Sequence, residues 1–237
     1  MSVFLKANWE NIVMANYEIA PAILEKYLPK GIELDLFNGK AYVSLVGFMF
    51  KDTKIFNVPI FKLGTFEEIN LRFYVSRKVG NETRRGVVFI NETVPYKAVA
   101  WLANALYKEH YTTIPTRHHW DFTNEHKAIK YEWFVNKKWN SIALSATKEK
   151  KIIEKNSFEN FIFEHYYGYT KYNNTITEEY QIVHPSWLIN DILDYKIDCN
   201  FENMYGEDFT VLDKTQLASV FLAEGSAIEI NWKRNKI

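Results

Sequence analysis

Cysteine is nearly absent from this sequence of 237 residues, and so is any excess of charge. Cys199 stands alone, which excludes an internal disulfide, and its acidic neighbours Asp198 and Glu202 give no reason to expect an activated thiolate. Lysine plus arginine and aspartate plus glutamate both number 29, so no global field draws the chain to nucleic acid or to an anionic membrane. Long hydrophobic runs are missing too. The first apolar run stops at Lys6, short of a signal-peptide core, and no later stretch approaches the roughly 20 apolar residues of a membrane span. The expectation is a soluble cytoplasmic protein in which Asn81, Asn91 and Asn173 begin Asn-x-Ser/Thr triplets by chance. With 6 prolines and 9 glycines there is also no Gly/Ser/Pro linker or low-complexity tract, so residues 1–237 read as a single domain.

Aromatic side chains are plentiful: 17 Phe, 15 Tyr and 7 Trp make 16% of the chain, a composition that suits strands. Pro21 and the spacing of Ile23, Leu24, Tyr27 and Leu28 predict a short amphipathic helix ended by Pro29 and Gly31. IELDLF and KAYVSLVGFMF flank Asn38-Gly39, a type I′ hairpin signal because both central residues need positive φ. FEEINLRFYV alternates as a strand, with Glu68, Asn70, Arg72 and Tyr74 on one face and Glu67, Ile69, Leu71, Phe73 and Val75 on the other. It leads into a hairpin with a charged tip over residues 77–85. A helix from Pro95 to about residue 108 presents Ala98, Trp101, Leu102, Ala105 and Leu106 as its apolar stripe. YTTIPT, AIKYEWFV and WNSIALSA read as strands, Ser157 caps a helix over FENFIFEHY, EEYQIV is a strand, and SVFLAEG with SAIEINW forms a closing hairpin that turns at Glu224-Gly225. The fold class is α+β on a mostly antiparallel sheet or barrel.

Several segments together, NWENIVMANYEIAPAILEKYLPKGIELDLFNGKAYVSLVGF, FEEINLRFYV, SFENFIFEHYYGYT, EYQIVHPSWL and ASVFLAEGSAIEI, resemble the YqjF-like family, of unknown function and with a fold related to acetoacetate decarboxylase. The resemblance spans about residues 8–230. It implies a closed, cone-like antiparallel β-barrel with short helices packed outside and a cavity within. In the related decarboxylase a lysine of lowered pKa forms a Schiff base with a β-keto acid. The matching stretch here is Tyr107-Lys108-Glu109-His110, which puts Tyr111 and Thr112 where that enzyme has paired lysines, and Glu18 falls where it has an arginine. Of the implied pocket residues Glu68 persists.

The resemblance turns the polar face of FEEINLRFYV inward. Arg72 then acts as an anion clamp, Asn70 lines the cavity, Glu68 and Arg72 can hold each other ionised, and Glu68 serves as acid or base. Tyr111 supplies a hydrogen-bond donor at the vacated lysine position. His165, Tyr167 and Trp187 are candidate ligand-binding residues at the cavity mouth, with His184 beside them. His110, His118, His119 and His126 cluster within 17 residues but match no metal motif, and adjacent His118 and His119 point to opposite faces of a strand. No metal and no cofactor are expected. The reading is a binding or catalytic protein for a small organic metabolite with a carboxylate or carbonyl group, without Schiff-base chemistry. Two rivals stand beside it: a non-enzymatic protein whose aromatic surface docks a partner or a sugar, and a diverged enzyme using Lys108 as its amine. Assembly into a homo-oligomer is left open.

Overall fold

The computed structural model describes residues 3–107 and 109–237. Its strands are β1 (Val3–Ile19), β2 (Glu33–Leu34), β3 (Ala41–Ile55), β4 (Val58–Pro59), β5 (Phe66–Val79), β6 (Glu82–Val94), β7 (Tyr111–Thr113) and β8 (Thr116–Phe122). They continue as β9 (His126–Val135), β10 (Lys138–Ile152), β11 (Tyr167–Lys171), β12 (Thr177–Val183), β13 (Leu188–Asp198), β14 (Leu217–Asn231) and β15 (Asn235–Lys236). Four short helices, α1 (Pro21–Glu25), α2 (Lys97–Tyr107), α3 (Phe158–Phe163) and α4 (Phe201–Tyr205), and a 3-10 segment at Glu207–Asp213 complete it. None of the helices is long and apolar enough to cross a membrane.

All strands belong to one mostly antiparallel sheet whose centre runs β14-β1-β3-β5-β6. On the far side of β6, β11 joins in parallel and β12 pairs with β11; β12 also contacts β14 through Ile182 and Val183. Beyond β14 the sheet continues through β13, β10 and β9 to β8.

The central strands are buried on both faces, and in β3 the run AYVSLVGFMF is buried throughout. On one face Val13, Leu45, Leu71 and Phe73 pack against Tyr131, Trp133 and Ile142 of β9 and β10 and against Phe201 of α4. On the other, Met14, Phe48, Phe66 and Phe89 pack against Phe161 and Phe163 of α3, Trp187 and Phe221. The alternation of β5 therefore divides its side chains between two interiors. Its polar face looks inward: Glu68 is 3% exposed and Asn70 1%.

Three expectations need correction. SVFLAEG and SAIEINW are no hairpin but one continuous strand, β14, running antiparallel to β1. Gly225 does have positive φ (81°), yet it sits opposite Glu10 inside the ladder, next to Asn11, which also has positive φ (51°), and both strands bend there without reversing. The Asn38-Gly39 turn forms with both φ values positive, 52° and 78°, but only Phe37 and Lys40 bridge across it; Glu33 and Leu34 pair with β5 instead of β3. In α2 the stripe is shifted. Trp101 is 71% exposed, and the inward positions include Val99, Ala100 and Leu102, because the helix packs only one narrow edge onto the sheet. The strands β1 and β13 were not anticipated. Ser157 caps α3 as expected, its hydroxyl accepting from the Asn160 N–H at 3.1 Å.

Candidate active site

A cavity of about 200 Å³ opens between β5, β6, α2, the β3–β5 connection and β12. Phe4, Phe50, Phe66, Ile60 and Leu102 make most of its wall, and Glu68, Glu92, Glu109, Tyr111 and Tyr180 supply its polar end. No lysine, arginine or histidine among the described residues lines it. Lys108, the amine of the rival enzyme reading, lies outside the described residues.

Each polar group is held by a specific piece of fold. Glu68 projects from β5, where its Oε1 accepts from the Asn70 side-chain amide at 3.0 Å and its Oε2 from the Tyr111 hydroxyl at 3.1 Å. Tyr111 begins β7, which pairs in parallel with β6 so that Tyr111 stands beside Glu92. Asn104 of α2 clamps the Tyr111 backbone from both sides, donating to its carbonyl at 2.9 Å and accepting from its N–H at 2.8 Å. Glu92 reaches the same interior because the β5–β6 ladder slips between Leu71 and Arg72; the bulge brings Glu92 onto the face of Phe89. Glu109 precedes β7, and its Oε1 accepts from Thr170 at 2.6 Å and from the Tyr180 hydroxyl at 2.8 Å. Tyr180 can lie there because residue 168 is glycine: a Cβ at that position would stand 2.1 Å from the Tyr180 ring.

Burial dominates the electrostatics. It raises Glu68 from the ordinary carboxylate value to about 7, against the opposing pull of Asn70, Tyr111 and the charge of Arg72. Glu109 is raised to about 7 by burial, with Thr170 and Tyr180 opposing. Glu92 rises well above the ordinary value, first through burial and then through the charges of Glu109 and Glu68. Burial and the same acids, Glu68 and Glu92, push the Tyr111 phenol well up, so it stays a hydrogen-bond donor.

The other predicted residues lie apart from this cavity. Arg72 shares the face of Glu68, but the two form no ion pair among the described residues, contrary to expectation. Four residues of strand separate their Cα atoms by about 13 Å. The Arg72 guanidinium meets the Met14 sulfur at 3.8 Å, adds a hydrogen bond to Tyr74 and leaves its Nε without a partner. His165 is buried against Asp35, 3.1 Å from its Oδ2, and burial lowers its pKa to about 4. Trp187 stacks on His184 at 4.2 Å and donates to Ser226 at 2.8 Å. Tyr167 lies under Arg84 in a separate cleft on β11 and β12. Of the clustered histidines, His118 meets Glu67 at 2.5 Å and His126 meets Thr123 at 3.2 Å. No group of three or more histidine, cysteine or acidic side chains among the described residues is arranged to hold a metal. Cys199 is pushed well up by burial, as an inert thiol would be.

Sequence reasoning brought Glu68 and Tyr111 together and missed Glu92, Glu109 and Tyr180. Strict alternation along β6 would set Glu92 with Val88 and Ile90, so only the bulge could have revealed it. Glu109 lies outside any periodic element.

The profile of a family of uncharacterized conserved proteins, DUF2071, matches residues 6–227. The uncharacterized protein YqjF of Bacillus subtilis (strain 168) is 24% identical over 193 residues, covering 79% of this chain and 75% of YqjF. An acetoacetate decarboxylase-like enzyme from Sphingomonas wittichii RW1 superposes with a TM-score of 0.66 at 10% identity, over 100% of this chain and 94% of the other. The enduracididine biosynthesis enzyme MppR complexed with pyruvate superposes with a TM-score of 0.62 at 10% identity, over 100% and 91%. These likenesses establish an acetoacetate decarboxylase-like fold.

Proposed function

The chain belongs to the DUF2071 family, together with YqjF, and on that premise we propose that it binds a small organic molecule with a carbonyl or carboxyl group in the cavity and acts on it by proton transfer. The observation that carries this reading is the Glu68–Tyr111 pair at the polar end of an apolar cavity. A carboxyl of pKa about 7 is present in both forms at neutral pH. Protonated, it donates to a carbonyl oxygen; ionised, it takes a proton from an adjacent carbon or water, a role typically worth roughly 10²–10⁴-fold in rate. Tyr111 is the fixed donor beside it. The contact of β12 with β14 supports a closed, cone-like wall around the cavity.

Arg72, on the inward face of β5 but outside the cavity lining, is the anion clamp in this reading for a ligand that extends along that face beyond Asn70. A buried guanidinium edge without a carboxylate partner gains most from an anionic ligand group. The pyruvate bound by MppR, on the same fold, supports a small oxo acid as the ligand class. Tyr111 stands where the resemblance puts the lysine of the related decarboxylase, and the proposed chemistry is proton transfer without a Schiff base. Thermal-shift measurement with a panel of small 2-oxo and 3-oxo acids tests this. Stabilisation of the wild-type protein and its loss in Arg72→Met are expected, and borohydride added with the same acids should trap no covalent adduct. An unchanged shift in Arg72→Met refutes the clamp, and a trapped adduct refutes the acid-base route.

A further inference from the structure

Among the described residues, the buried carboxylates outside the cavity come with cations. Glu179 is bound by Arg77 and Arg84, Glu178 by Arg234 and Lys236, and Glu132 by Arg117 and Lys130. Glu68, Glu92 and Glu109 have no ion pair among the described residues, though all three line the same apolar cavity. Glu92 is 3% exposed, and its Oε2 has no hydrogen-bond partner. A buried acceptor oxygen left bare costs about 1–3 kcal/mol unless something meets it. Glu109 is held through its Oε1 by the Thr170 and Tyr180 hydroxyls, and it lines the same cavity.

We infer that Glu92 and Glu109 form a cation subsite, so that the molecule held in this cavity carries a protonated amine as well as the group that meets Glu68. The inference rests on the ligand-cavity reading above and adds a charge requirement to it. The proposed function uses Glu68, Tyr111 and Arg72; it leaves the other two acids without a task. Glu92 and Glu109 line one cavity and repel each other when ionised, and an ammonium between them removes that repulsion while completing the bare oxygen of Glu92. A carboxylate end directed at this pair would meet like charge, so the cationic part of a ligand belongs here and any anionic part points away from it.

The probe is benzylamine, whose ring suits a wall of Phe4, Phe50 and Phe66, compared by calorimetry at pH 8 with benzyl alcohol, its neutral counterpart. Benzylamine should bind at least tenfold more tightly than benzyl alcohol. Glu92→Gln, and Glu92→Gln combined with Glu109→Gln, should remove that preference while circular dichroism stays that of the wild type; the single variant suffices if the double does not fold. Equal binding of amine and alcohol overturns the inference. So does amine binding that appears only in Lys108→Met, which would make Lys108 the resident cation. If oxo acids stabilise the protein and benzylamine does not bind, the cation subsite alone falls. If benzylamine binds with the Glu92 dependence and no oxo acid does, the subsite stands and the carbonyl or carboxyl reading falls. Failure of every probe removes both.

Discussion

At the scale of single residues the protein is defined by where it leaves charge unpaired. Glu68 and Glu109 hold a proton to about pH 7 in the fold, against an ordinary value of 4.5, so between these limits the folded chain binds more protons than the unfolded one and stability falls as pH rises. His165 works in the opposite sense. Kept neutral down to about pH 4 by burial, it adds stability as pH rises from there to its ordinary 6.5 and nothing beyond. Asp35, Glu132 and Glu179, all lowered, act below the ordinary carboxylate range. Above pH 6.5 the contribution of His165 is complete, and Glu68 and Glu109, raised to about 7, are the cavity acids that still lose protons there. Urea unfolding of the wild type should lose stability from pH 6.5 to 8, and Glu68→Gln should lose less by about 1 kcal/mol. An equal loss in the variant would mean that Glu68 is already ionised in the fold.

At the scale of elements, what the sequence conveyed depended on whether the governing contact was local. The Asn38-Gly39 turn, the Ser157 cap and the inward face of β5 each follow from a few neighbouring residues, and each appears in the structure. Gly225 misled because glycine marks turns and bulges alike, and only the partner strand decides between them. In β14 that partner is β1, whose Trp9 carbonyl approaches so closely that a Cβ at Gly225 would stand 2.0 Å from its oxygen. Gly225→Ala should consequently cost at least about 2 kcal/mol in chemical denaturation, from the positive φ and the backbone clash together. A cost near zero would show that β1 and β14 part easily at this point. The slip between β5 and β6 carries the same lesson toward the site, since it turns Glu92 from the opposite core into the cavity.

For the whole molecule, the equal counts of acidic and basic residues conceal an uneven distribution. Many carboxylates pair with lysine or arginine across the sheet, as Glu229 does with Lys6 and the buried Glu132 with Arg117. The acids gathered at the cavity do not, and that gathering depends on strands distant in sequence: β5, β6, β7 and β12. No alternation pattern records it, which is why Glu68 and Tyr111 were legible through family resemblance while Glu109 and Tyr180 were not. Among the exposed aromatics Trp101 stands out on α2 and Trp232 packs on Phe56 beyond β14, while Trp9, Trp133 and Trp187 are buried. A crystal structure of freshly purified protein is the most direct test of the central claim. Density for a co-purified small molecule should fill the cavity with a polar atom in hydrogen-bond reach of Glu68 and Tyr111; a ligand bound elsewhere, with the cavity closed by its own Phe4, Phe50 and Phe66 side chains, would contradict it.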